Sequence, residues 1–103
     1  MMQPAEITIT ERELQANIVA FAEMCGWLVY HTYDSRRSNR GFPDLLMVRS
    51  FVFVAIEVKT EKGKVSEHQE AWLAALSALP GAAFVGVVRP SDWFAGELDS
   101  VLR

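Results

Sequence analysis

The chain alternates between stretches whose apolar residues recur every third or fourth position and short runs that are apolar throughout. The first periodic stretch opens on Thr10-Glu11-Arg12-Glu13, which has the form of a capping box. It then sets Leu14, Ile18, Phe21, Ala22 and Cys25 along one side of a helix that Gly26 ends. Trp27-Leu28-Val29-Tyr30-His31-Thr32-Tyr33 is dense in strand formers and predicts strand one. Residues 34–41 are polar and predict a loop. Residues 43–48 and 52–59 are two apolar runs around a short turn near Ser50, and predict strands two and three of a hairpin. After the polar Glu61-Lys62-Gly63-Lys64, a second capping box, Ser66-Glu67-His68-Gln69, opens a helix. It carries Trp72, Leu73 and Leu76 on one face and stops at Pro80-Gly81. Ala83-Phe84-Val85-Gly86-Val87-Val88 reads as a strand buried on both faces and, because it follows a helix, parallel to an earlier one. Pro90-Ser91-Asp92 caps one last helix with Trp93, Leu98 and Leu102. The predicted fold is α/β in the order αβββαβα, a single domain over residues 1–103.

Composition narrows the class. Half of the 103 residues are apolar and 22% are charged, as in a globular domain with a modest core. A net charge of −3 argues against a broad, non-specific nucleic-acid surface and leaves room for a local basic patch. Cys25 is the only cysteine, which excludes an internal disulfide and a cysteine-based zinc site and suits a reducing, cytoplasmic setting. The first residues do not resemble a signal peptide, and no apolar stretch is long enough to span a membrane.

The hairpin carries the candidate chemistry. If it turns at Ser50-Phe51, Arg49 faces Val52 and each outward step keeps residues paired, so Asp44 faces Glu57 on one side of the sheet. Lys59, two residues on, shares that side. Two carboxylates so placed repel unless a cation sits between them. A one-residue slip would turn Asp44 away, and Ser50-Phe51 lacks the usual Asn-Gly chemistry of a tight turn. The plain alternative is a solvated polar edge or a Glu57–Lys59 ion pair, yet Val52-Phe53-Val54-Ala55-Ile56 is apolar at every position. On helix one, Glu11 and Gln15 continue the inward line. Glu11 also suits the helix dipole as a first-turn acid, and Glu13 is taken up as the partner of Thr10. Gln69 is both the capping partner of Ser66 and the start of its helix's inward stripe.

Gly41-Phe42-Pro43-Asp44, an apolar strand ending Glu57-Val58-Lys59, and a helix opening on Ser66-x-x-Gln69 together resemble the VRR-NUC branch of the PD-(D/E)XK nucleases. Glu11-x-x-x-Gln15 and the late apolar strand followed by Arg89 match as well, so the resemblance runs from about Glu11 to Trp93. It implies a mixed β-sheet flanked by helices and a phosphodiester hydrolase dependent on Mg²⁺ or Mn²⁺. By position, Asp44, Glu57, the Val58 carbonyl and Glu11 would be metal ligands. Lys59 would orient or activate the attacking water or stabilise developing charge, and Gly41, Pro43 and Gln69 would support the site; Gln15, a polar residue on the inward line of helix one, is a catalytic candidate to order a metal-bound water.

Arg36, Arg37 and Arg40 form the densest basic run, next to Tyr30, His31 and Tyr33. Together with Lys62 and Lys64 they suit phosphates and distorted or unstacked DNA, the alternative being a solvated loop. Standalone relatives are homodimers that cut four-way junctions, so the resemblance implies a structure-selective DNA endonuclease acting as a homodimer, in the host cytoplasm if phage-encoded. Trp72, Trp93 and Phe94 suit a dimer interface or the core. A flap or single-strand nuclease, and a non-catalytic DNA-binding or assembly module, are the alternatives.

Overall fold

The computed structural model describes residues 9–33 and 39–103. Helix α1 (Glu11–Met24) begins at Thr10, whose hydroxyl accepts the Glu13 N–H at 3.0 Å and donates back to the Glu13 carboxylate at 3.1 Å. Glu13 thus closes on the Thr10 side chain and not, as a full capping box would, on its backbone N–H. The far end is a Schellman motif: Gly26, at φ +88°, donates to Glu23 O and Trp27 to Ala22 O.

Strand β1 (Leu28–His31) pairs antiparallel with β2 (Leu45–Arg49), and β2 with β3 (Val52–Val58). The hairpin turns at Ser50-Phe51 and places Arg49 opposite Val52 and Leu45 opposite Ile56, the register expected. Ser50 takes up the required left-handed conformation itself, at φ 57°. After α2 (Glu67–Ser77), β4 (Ala82–Val88) runs parallel to β3. Around Ser66 both halves of the second capping box form. The sheet order is β1-β2-β3-β4, an α/β arrangement with a mixed four-stranded sheet.

Leu14, Ile18 and Ala22 of α1 pack on the sheet face made by Leu45, Met47, Val54, Ile56, Val58 and Val88, and Leu98 and Leu102 close that core. Helix α2 lies against β4 and β3 on the side where Glu57 points. Two expectations are corrected. The run at Ala83 to Val88 is an edge strand, mostly half-buried, because among the described residues no strand pairs beyond it. The last helix is two short ones, α3 (Pro90–Phe94) and α4 (Asp99–Leu102), since Gly96 turns the chain at φ +79°. The order is therefore αβββαβαα. That break lets Leu98 and Leu102 reach the core, where the Leu102 carbonyl accepts from Trp27 Nε1 at 2.8 Å and from Arg49 at 2.9 Å. No helix among the described residues is long and apolar enough to cross a membrane.

Candidate active site

The site is made where the β2–β3 ladder ends. Thr32, just past β1, donates its N–H to the Asp44 carbonyl at 2.9 Å and its hydroxyl to the Pro43 carbonyl at 2.9 Å, which fixes the Pro43-Asp44 peptide against the sheet. Upstream, Gly41 sits at φ +86° against the first turn of α2. A β-carbon there would stand 2.4 Å from the His68 carbonyl carbon, so only glycine fits. Fully buried Pro43 then leads the chain into β2. Beyond the last paired residues, the Asp44 carboxylate takes over from the backbone and accepts the Val58 N–H through Oδ2 at 2.8 Å.

This places Asp44 beside Glu57. The Glu57 side chain is only 4% exposed, on a strand buried from Val54 to Val58. Burial raises its carboxyl most, and a hydrogen bond to Asp44 and the Asp44 charge raise it further. The Glu11 charge adds to this and Lys59 opposes it, leaving Glu57 pushed up to about 9. Glu57 thus keeps its proton at neutral pH, beside Asp44. One oxygen, Glu57 Oε2, is buried without a hydrogen-bond partner among the described residues. A buried polar atom with no partner costs free energy, and a small hard cation is the kind of group that would satisfy it. The donors are oxygens, which suit Mg²⁺ or Mn²⁺, so the residues present fit such an ion. Among the described residues no three His, Cys, Asp or Glu side chains gather as a metal cluster. The arrangement is a carboxylate pair, a number sufficient for an ion that keeps several waters.

Asp44 and Glu57 open onto a cavity of about 210 Å³ lined also by Thr32, Tyr33, Asn39, Gly41, Phe42 and Gln69. Gln69 accepts the Ser66 N–H through Oε1 at 2.9 Å, so one side chain both caps α2 and walls the cavity. Half-buried Lys59 lies close enough for its charge to act on Glu57. Glu11 stays on the exposed first turn of α1 and reaches Glu57 through its charge. The Gln15 amide is hydrogen-bonded to His31 Nε2, which ties α1 to β1 and engages His31 inside the fold. Arg40 is exposed, and its carbonyl accepts Trp72 Nε1 at 3.0 Å. Lys62 and Lys64 are exposed on the loop after β3. Arg36 and Arg37 lie outside the described residues. Thr32, Asn39 and Phe42 were not singled out in the sequence. Thr32 carried no signal there, being one polar residue at the end of an apolar strand, whereas Phe42 stood inside the motif.

The profile of the VRR-NUC domain matches residues 7–90. No curated protein sequence matches the chain. Among solved structures, the fold is similar to that of Hjc, a Holliday junction resolvase from the archaeal hyperthermophile Archaeoglobus fulgidus. The identity is 20% and the TM-score 0.55, over 76% of this chain and 67% of that one. The matched span takes in the Asp44 turn, the Glu57 strand and the capped helix that walls the cavity, and by this match the chain belongs to the VRR-NUC family of nuclease domains.

Proposed function

We propose that the protein is a DNA endonuclease dependent on Mg²⁺ or Mn²⁺ and selective for branched or distorted DNA, in the manner of a Holliday-junction resolvase. The observation that carries the proposal is buried Glu57 beside half-buried Asp44, with one Glu57 oxygen unpartnered among the described residues, at the mouth of a polar cavity near Lys59. Asp44, Glu57 and the Val58 carbonyl would hold the cation, with Glu11 contributing from the rim. When bound, the cation supplies Lewis-acid stabilisation of charge on the phosphate and activates water. The chain's own groups do the rest. The Val58 N–H fixes the orientation of Asp44. Lys59 balances negative charge where it develops, and the bond between Gln15 and His31 holds α1 against the edge of the site. Exposed Arg40, Lys62 and Lys64 would meet phosphates, together with Arg36 and Arg37 of the basic run that Arg40 ends.

A homodimer is part of the proposal, because two symmetric sites suit two opposed cuts. Of the aromatics considered for its interface, Trp72 packs on Phe42 and Trp93 on Phe21, while Phe94 is 54% exposed and is the one left for a partner. The test is a panel of four-way junction, flap, duplex and single-stranded DNA with Mg²⁺ or Mn²⁺. The junction is expected to be cut fastest, in a reaction that Asp44→Ala abolishes. Equal cleavage by Asp44→Ala protein would sink the assignment. Faster cutting of the flap or single strand would favour the corresponding alternative nuclease, and no cleavage with no Mg²⁺ binding would favour a non-catalytic module.

A further inference from the structure

Next to the acid cavity, and sharing Thr32, Asn39 and Phe42 with it, lies a second groove of about 340 Å³ whose remaining walls are Tyr30 and Trp72. Three of its five residues are aromatic. Phe42 and Trp72 meet edge to face, with centroids 5.1 Å apart, and the Trp72 indole is held by its bond to the Arg40 carbonyl. Tyr30 is 60% exposed, too open for a core residue. Its strand explains the position: Tyr30 is opposite Leu46, two residues along β2 from Asp44, hence about 7 Å from it along the strand. Helix α2 lies against β3 and β4, and among the described residues no helix is packed over Tyr30.

We propose that this groove binds one unpaired nucleobase of the nucleic-acid substrate, from a nucleotide adjacent to the phosphate at the acid pair. The inference rests on the nuclease reading above and names what the site takes beside the scissile group. Aromatic faces accept any base by stacking, and Asn39 offers an amide to a base edge. Continuity with the acid cavity, through three shared residues, ties the occupant to the strand being cut. A duplex can fill the groove only by giving up a base, which makes unpaired or easily unstacked positions the preferred targets.

The test uses the full chain, Ca²⁺ in place of Mg²⁺, and fluorescence anisotropy with oligothymidylate against an abasic strand of the same length and charge. Wild-type protein is expected to prefer the base-bearing strand by about tenfold. Tyr30→Ala should lose most of that preference and Tyr30→Phe should keep it, with Mg²⁺ binding to the acid pair unchanged in both. Equal affinity of the wild type for the two strands overturns the proposal. So does a Tyr30→Ala variant that keeps the preference, or one whose only change is in self-association, which would make the groove a protein contact. Cleavage of the DNA panel with its Asp44→Ala control is scored separately. Loss of base preference with cleavage intact removes the groove alone, and base preference without cleavage removes the nuclease reading alone.

Discussion

At the scale of single residues, Glu57 is the group whose behaviour departs furthest from that of an isolated side chain. In cation-free buffer the folded protein keeps its proton to about pH 9, whereas its reference value is 4.5. Its contribution to stability is therefore complete below pH 4.5 and is lost as pH rises through about 9, with a limiting slope of about 1.4 kcal/mol per pH unit. Glu57→Gln should remove this dependence, so that urea unfolding in EDTA shows the variant gaining on wild type as pH rises from 5 to 9; parallel profiles would contradict it. Gly41→Ala should destabilise the protein by roughly 2 kcal/mol or more and impair the cavity, since both the left-handed φ and the contact with His68 exclude a side chain. The placement of Asp44 across from Glu57 was legible in the sequence because hairpin spacing converts directly into register, whereas Gly41 came only with the motif. The partnering of Gln15 with His31 was not, because it joins a helix to an edge strand whose separation no local pattern encodes.

At the scale of elements, the hairpin register was legible despite its turn. Apolar residues on both strands settle the pairing, and Ser50 bears a left-handed conformation that its sequence does not favour. Ser50→Gly should therefore stabilise the fold by about 0.5–1 kcal/mol, seen as a Tm rise of a few degrees; a lower Tm would show that the turn is not strained. Ser66→Ala removes the cap that Gln69 shares with the cavity wall and should cost about 1 kcal/mol, measured by thermal unfolding. The last helix was misjudged as one element because Trp93, Leu98 and Leu102 are compatible with continuous helical spacing, and the turn at Gly96 becomes necessary only when Leu98 and Leu102 must meet the core. The exposure of β4 was equally hidden, since an apolar run does not say whether another strand will pair beyond it.

At the scale of the whole molecule, the fold brings two things to one end of a small sheet: a carboxylate pair that ordinary hydrogen bonding leaves incomplete, and an open aromatic surface beside it. The core on the opposite face, from Leu14 to Leu102, packs α1 and the C-terminal helices against the strands that carry the two acids. The central claim is that this pair is a divalent-cation site, and calorimetric titration with Mn²⁺ at pH 7.5 in buffers of different ionisation enthalpy tests it most directly. The wild-type protein should bind saturably below millimolar concentration and release close to one proton, the one Glu57 holds, while Asp44→Asn should bind far more weakly. No saturable binding by the wild type, or binding that Asp44→Asn leaves intact, would contradict the account.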